Sequence, residues 1–365
     1  MKILYITTIG ATMRFFISFI KELINEGHTV EIATNTTGHK LPDIYNELGC
    51  KVHHIDCSRN PLNKGNLNAV KQIKELVSKN DYDIVHCHTP TASACTRFAC
   101  RNIKGKKNIK VIYTAHGFHF YKGASIKNWL MYYPIEWVCS FWTDTIITIN
   151  NEDYLRAKKF FHAKETVYVP GVGLDAEKFI NIAVDKNLKR KELGVPENGY
   201  MILSVGELNE NKNHQVVIKA LAEIKNYNIH YVIVGRGKLA DNLKALAESL
   251  GIGPNVHVVG YRTDVPELYK IADLFVHPSY REGLPVALME CLAVGTPCIA
   301  SKIRGCIDLL ENDLFNPYKV DEVKELIIKK FTNEKTFTSL DKKFYIQEVN
   351  KKMSEIYGTG DCLHE

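Results

Sequence analysis

Two rhythms of hydrophobic residues alternate along this chain. Short β-branched runs are followed by longer stretches whose apolar residues recur every three or four positions. That alternation predicts parallel α/β sheets. In the first half the strands are expected at Lys2–Thr7, Thr29–Ala33, Lys51–Ile55, Ile84–His88, Val111–Ala115, Thr145–Ile149 and Val167–Val169. Helices are expected between them, at Thr12–Glu26, Leu67–Lys79 and Ile126–Ser140. Pro170-Gly171-Val172-Gly173 breaks the pattern, and the charged stretch Lys186–Glu192 reads as linker. The domain boundary is therefore expected between Gly171 and Pro196. A second series follows, with strands at Tyr200–Val205, His230–Val234, Val256–Val259, Leu274–His277 and Pro297–Ala300. The segment Phe344–Tyr357 predicts a last helix. Ligands of doubly wound sheets bind outside the carboxyl ends of the strands, so the loops after the strands are where chemistry is sought.

A length of 365 residues suits two domains of this kind. The ten cysteines are scattered with no C-x-x-C pair, and several have apolar neighbours, so they read as small core residues. No signal peptide is expected ahead of the first strand, and a reducing cytoplasm is the expected compartment. The longest apolar stretch, Trp129 to Trp142, is too short to span a bilayer and includes Pro134 and Glu136. The formal charge of +6 is uneven, since residues 1–180 hold 23 basic and 16 acidic side chains. Lys104, Lys106, Lys107 and Lys110 cluster, and Arg14-Phe15-Phe16 opens a helix. A basic, aromatic-bearing face suits an anionic lipid surface or a lipid pyrophosphate, with a solvated surface as the alternative. No nucleic-acid-binding motif is present.

The most informative stretch is Ser279-Tyr280-Arg281-Glu282-Gly283-Leu284-Pro285-Val286-Ala287-Leu288-Met289-Glu290. Pro285 suits a first helical turn, because its missing N–H costs nothing there. A helix is expected from about Pro285 to Ala293, ending at Gly295-Thr296-Pro297. Glu282 then lies in the loop before it, and Glu290 about a turn and a half inside. Free amides at Gly283, Leu284 and the next residues make an anion site. Two acids flanking an anion site suit a ligand with hydroxyls on both sides of a phosphate, as a nucleotide-sugar has. Other motifs carry less. Asp81-Tyr82-Asp83 precedes a strand and reads as turn chemistry. His86 and His88 share a strand face but cannot converge with Cys87 on one ion, so they read as pocket-lining residues. Gly235-Arg236-Gly237 is a weak dinucleotide signal without a third glycine.

The Glu282-to-Glu290 segment resembles the E-x7-E signature of the retaining GT-B glycosyltransferases of family 4. The resemblance extends from Met1 to about Phe331. It implies two Rossmann-like doubly wound domains facing across a cleft, with a C-terminal helix crossing back to the first. On that pattern the domains are 1–175 on the acceptor side, 196–340 on the donor side, and a helix and tail at 341–365. It further implies that Glu290 takes the ribose hydroxyls and Glu282 the donor hexose, with Gly283 and Leu284 beside them. Val205-Gly206-Glu207-Leu208-Asn209-Glu210-Asn211-Lys212-Asn213 resembles the family loop that holds the donor diphosphate. Lys212 matches the family lysine. Glu207, counted among the donor-binding residues, stands where many relatives carry arginine, so either Lys212 and backbone amides neutralise more charge or Glu207 contacts a sugar hydroxyl or orients Lys212. Arg262, after Gly260-Tyr261, is placed against the base. Gly10 is what remains of the family's glycine-rich first loop. His116, in Tyr113-Thr114-Ala115-His116-Gly117-Phe118-His119-Phe120, resembles the residue that reaches the donor sugar. His119 is a second histidine near the acceptor. The segment from Ile303 to Pro317 has a shortened form of the family's Gly-Phe-Leu turn.

The resemblance implies transfer of a hexose from a UDP-sugar to a polyprenyl-pyrophosphate-linked glycan, in exopolysaccharide or capsule synthesis. It implies no cofactor and no metal, peripheral contact with the inner membrane face, and no nucleic acid. Two other readings stay open at the level of sequence. One is a GT-B epimerase acting on a UDP-sugar alone. The other is an inactive nucleotide-sugar-binding homologue, which retention of both Glu282 and Glu290 argues against. A nicotinamide dehydrogenase is poorly supported, because no glycine fingerprint follows the first strand.

Overall fold

The computed structural model describes residues 1–38, 40–225, 228–332 and 338–359. It divides into two compact units, Met1–Val172 with the chain from Glu348 onward, and Gly173–Gln347. The first unit is built on seven parallel strands: β1 (Lys2–Ile9), β2 (Thr29–Asn35), β3 (Lys51–His54), β4 (Ile84–His88), β5 (Lys110–Ala115), β6 (Thr145–Thr148) and β7 (Glu165–Tyr168). They lie in the order β3-β2-β1-β4-β5-β6-β7. Parallel sheets are covered on both faces, which is why β1 is apolar on both sides. Ile3 and Tyr5 enter one core with Val30 and Ile112, while Leu4 and Ile6 enter the opposite one with Val85 and Tyr113. The last helix, Ile346–Tyr357, brings Val349, Ile356 and Tyr357 into the first of these cores.

The second unit repeats the plan with β8 (Tyr200–Val205), β9 (Ile229–Val234), β10 (Val256–Gly260), β11 (Leu274–His277), β12 (Cys298–Ser301) and β13 (Leu314–Phe315). Their order is β10-β9-β8-β11-β12-β13. Both sheets reverse direction next to their first strand, between β1 and β4 and between β8 and β11. These switch points leave crevices at the strand ends, where doubly wound sheets bind ligands. The loops bordering them carry Gly10 in the first unit and Lys212 and Glu282 in the second.

Two expectations are corrected. Lys186–Glu192 is a helix, not linker. Asp185 caps it through the amides of Asn187 and Leu188, and Arg190 is buried against Asp273 and the carbonyls of Gly199 and Ile271. Charged composition concealed one inward-facing arginine. The helix expected at Thr12–Glu26 begins instead as a 3-10 turn, Gly10–Phe16, and becomes α-helical at Ile17–Asn25. Among the described residues no helix is long and apolar enough to cross a membrane.

Candidate active site

The switch point of the second unit is assembled from three loops. The loop after β8 turns through Gly206 and a short 3-10 helix, Glu210–Lys212. Asn209 caps that turn by accepting from the Lys212 amide at 3.1 Å. Asn213 follows in the left-handed region, and its buried amide group donates to the carbonyls of Pro278 and Pro317. Asn211 completes the link, donating to Arg281 O at 2.9 Å and accepting from the Tyr280 amide at 2.8 Å. The loop after β8 is thus fastened to the loop after β11.

These ties set Lys212 against Glu282. The Lys212 ammonium lies 2.7 Å from a Glu282 carboxylate oxygen, which His277 Nε2 approaches at 3.2 Å. Burial alone would raise the Glu282 pKa. The His277 hydrogen bond and the Lys212 charge outweigh it and hold the group well below the usual carboxylate range. Burial likewise pushes His277 down, against the opposing pull of Glu282, so a neutral imidazole meets an ionised carboxylate. Ser279 Oγ is 3.2 Å from the same imidazole nitrogen.

Past Glu282 the chain turns through Gly283 and Leu284 into the helix Val286–Val294, with Pro285 as its cap. The first helical bonds are donated by Leu288 and Met289 to Pro285 O. The amides of Val286 and Ala287 therefore precede the helical ladder, as helix N-terminal amides do. Glu290 sits inside this helix and accepts from Tyr269 Oη at 3.0 Å. Burial raises its pKa, and the tyrosine opposes the rise.

Glycines explain how closely the loops approach. A Cβ on Gly305, which has φ +81°, would lie 2.4 Å from Gly283 O, so the loop after β12 rests directly on the Gly283-Leu284 turn. Its neighbour Arg304 donates to Glu282 O at 3.1 Å. Gly235 and Gly237 are required for a similar reason. A Cβ on them would fall 1.8 Å from Gly206 O and 2.2 Å from Leu208 O.

Glu207 is exposed to solvent, whereas Lys212 is oriented by Glu282. Arg262 bonds Asp264 at 2.8 Å through Nε and Glu192 at 2.7 Å through Nη2, so two carboxylates hold its guanidinium. Sequence reasoning missed His277, Tyr269, Arg304 and Gly305 as supports of the two acids. Their spacing carries no local signal, although the strand-end position of His277 was a usable hint.

In the first unit, Gly10 is buried at the start of its 3-10 turn. Next to it Thr8 and Thr89 share a hydroxyl–hydroxyl bond of 2.6 Å. Thr89 has φ +68°, an uncommon conformation for a β-branched residue, and it sits at the switch point where such outliers gather. His116 Nε2 lies 3.2 Å from His88 Nδ1. His86 is bonded by the Tyr357 and Thr114 hydroxyls. Burial lowers all three histidines, His86 to about 3 and His116 to about 4, so they are neutral near pH 7. They line a small cavity of about 40 Å³ with Tyr5 and Phe16. His119 stacks on Tyr132 at 4.4 Å.

Two sequence families match the chain. Residues 2–150 match the glycosyl transferase 4-like family, and residues 185–346 match the glycosyl transferases group 1 family. The putative glycosyltransferase EpsD of Bacillus subtilis is 35% identical over 316 residues, covering 85% of this chain and 81% of EpsD. The chain belongs to the group 1, family-4-like glycosyltransferases. A UDP-Gal:alpha-D-GlcNAc-diphosphoundecaprenol alpha-1,3-galactosyltransferase of Escherichia coli is 33% identical over 262 residues, or 68% of this chain and 66% of that enzyme. Among solved structures, Anabaena HepE in complex with UDP superposes with a TM-score of 0.80 at 19% identity, over 98% of this chain and all of HepE. That likeness gives the fold, GT-B. This glycosyltransferase thus has the sheet plan expected of it.

Proposed function

We propose that this glycosyltransferase moves a hexose from a UDP-sugar to a glycan carried on a polyprenyl pyrophosphate, with retention at the anomeric carbon. The product would serve exopolysaccharide or capsule assembly on the cytoplasmic side of the membrane. The observation that carries the donor assignment is the ionised Glu282 bonded to Lys212, one turn ahead of a helix that bears Glu290. The name of the Escherichia coli relative, which acts on a diphosphoundecaprenol-linked sugar, supports the acceptor class.

In this reading Glu290 accepts both ribose hydroxyls, and Glu282 accepts a hydroxyl of the hexose. Lys212 and the amides of Gly283 and Leu284 hold the diphosphate. Gly10 gives the first loop room to approach the donor phosphate, and His116 hydrogen-bonds the hexose as a neutral imidazole. The bond from C1 to the diphosphate oxygen breaks while an acceptor oxygen bonds C1 from the same face. The departing diphosphate takes the acceptor proton. Charge therefore develops on the leaving group, where fixed donors matter most. Holding the acceptor hydroxyl against C1 contributes much of the remainder. Glu207 faces solvent and is given no phosphate contact. Arg262 is already held by carboxylates, and we assign it no part in the chemistry.

Isothermal titration with UDP, GDP and ADP, repeated with EDTA, tests the donor assignment. Preferential, EDTA-insensitive binding of UDP is expected. Binding of another nucleotide alone would replace the donor, and binding of none would overturn the site.

A further inference from the structure

The end of β4 buries a histidine that the proposed reaction does not use. His88 is 1% exposed. Its ring centroid lies 4.0 Å from that of His86, 4.1 Å from Phe16 and 5.4 Å from Tyr5. His86 is fixed in turn by the Tyr357 and Thr114 hydroxyls. Just past His88, the Thr89 hydroxyl donates to the His88 carbonyl and meets the Thr8 hydroxyl, which ties the strand end to the loop after β1. Backbone and ring are therefore both held. In this setting His88 Nδ1 stands 3.2 Å from Nε2 of His116, which is only partly buried.

Burial decides where the protons sit. Both rings are neutral near pH 7, because burial disfavours their charged forms. A neutral imidazole has one N–H and one lone pair, so the contact admits two arrangements. In the first, His116 Nε2 donates, and the His88 proton sits on Nε2, a buried atom with no partner. The Tyr5 ring lies nearly parallel to that of His88, at 15°, so an in-plane N–H does not point at its face. In the second, His88 Nδ1 donates to His116 Nε2, and only a lone pair of His88 goes unmet. Buried donors without a partner are the rarer defect in native proteins, which favours the second. His116 then accepts through Nε2 and carries its own proton on Nδ1. Among the described residues it makes no other hydrogen bond.

We propose that His88 is a positioning residue, which fixes His116 as a hydrogen-bond donor through Nδ1. A sugar oxygen that faces Nδ1 is then met through its lone pair. With Nδ1 already protonated and Nε2 occupied, His116 cannot take the acceptor proton, which is left to the departing diphosphate. This consequence for transfer rests on the proposed contact of His116 with the hexose; the proton assignment does not.

Nitrogen NMR of the whole chain carrying isotope-labelled histidine reads the proton positions at pH 7, with His88→Asn and His116→Ala to assign the two signals. Both should be Nδ1–H tautomers. A His88 proton on Nε2, or a charged His116, would overturn the proposal. Kinetics then test the positioning. His88→Phe keeps a ring in the stack and removes the N–H. His88→Asn opens a gap in the stack but sets an amide N–H where Nδ1–H stood. Positioning predicts that kcat falls by about tenfold in His88→Phe, the factor for one lost hydrogen bond, with no drop in thermal midpoint. In His88→Asn the midpoint should fall while kcat stays within about threefold of normal. Packing alone predicts the reverse order of kcat, and that order would sink the proposal. Should His88→Asn fail to fold, an unchanged kcat in His88→Phe is enough to overturn it. UDP titration should be unaltered in all these variants, because Lys212, Glu282 and Glu290 lie in the second unit. If His116→Ala left kcat unchanged while the tautomers were as expected, the hexose contact and the role in transfer would fall and the proton assignment would stand.

Discussion

Replacing Glu282 by glutamine separates two jobs that a simple loss of function would confuse. The carboxylate is 2.7 Å from the Lys212 ammonium, and the two side chains are 14% and 22% exposed. Opposite charges at about 4 Å attract by about 4 kcal/mol at an effective dielectric near 20, and partial exposure reduces this to about 1–2 kcal/mol. In the resting protein that attraction competes with a diphosphate for the same ammonium. Glu282→Gln keeps the shape and removes the competitor, so UDP should bind as well as before or up to about tenfold more tightly. Turnover should move the other way. If Glu282 holds the hexose as charge develops at C1, its loss should lower kcat by about a hundredfold or more. Because the Glu282 pKa is depressed, the carboxylate is ionised across the neutral range and the contrast should not change there with pH. Calorimetry with UDP gives the affinity, and UDP release during transfer gives kcat. A parallel fall of affinity and kcat would refute the reasoning, since Glu282 would then be a strut of the diphosphate site and not a sugar contact.

Glu290→Ala should weaken UDP by about thirtyfold or more, the cost of about 2 kcal/mol for two charge-assisted ribose bonds, whereas Tyr269→Phe should cost only severalfold; calorimetry distinguishes them. Gly305→Ala places a Cβ 2.4 Å from Gly283 O on a backbone at φ +81°, so both UDP affinity and the thermal midpoint should fall, by about 1–3 kcal/mol in stability. Acidification should destabilise the first unit. His86 and His116 have folded pKa values depressed to about 3 and about 4, so their contribution is complete above about 6.5 and is lost as pH falls from there towards the folded values. At about 1.4 kcal/mol per pH unit for each, roughly 4 kcal/mol is lost together by pH 5. Urea unfolding at pH 7 and pH 5 measures this; His88, depressed by burial as well, adds to the difference, and His86→Gln should remove about 2 kcal/mol of it.

What was legible in the sequence was whatever is local. Apolar runs covered on both faces announce parallel strands, so β1, β4, β8 and β11 stood where periodicity put them. Glu282 and Glu290 were legible because one loop and one helix carry both, and the Gly-Leu-Pro turn between them has a backbone meaning of its own. Contacts between distant segments were not legible. Lys212 meets Glu282 across 70 positions, and Tyr269 meets Glu290 across 21, through a fold that no short spacing encodes. The Lys186–Glu192 helix was hidden because one buried arginine is lost among exposed lysines when composition alone is read. Gly235-Arg236-Gly237 shows the same limit from the opposite side. As a dinucleotide fingerprint it is incomplete, yet both glycines are needed, because Gly206 O and Leu208 O occupy the space where their side chains would stand. The motif's physical content is therefore the fit of one loop against another. A glycine pair of this kind predicts close packing of the loop after β9 on the loop that carries Lys212, whatever the nucleotide. Gly237→Ala should accordingly disturb Lys212 and weaken diphosphate binding without touching the ligand. If UDP affinity were untouched in a folded Gly237→Ala variant, the placement of Lys212 would not depend on that packing, and Glu282 alone would have to hold it.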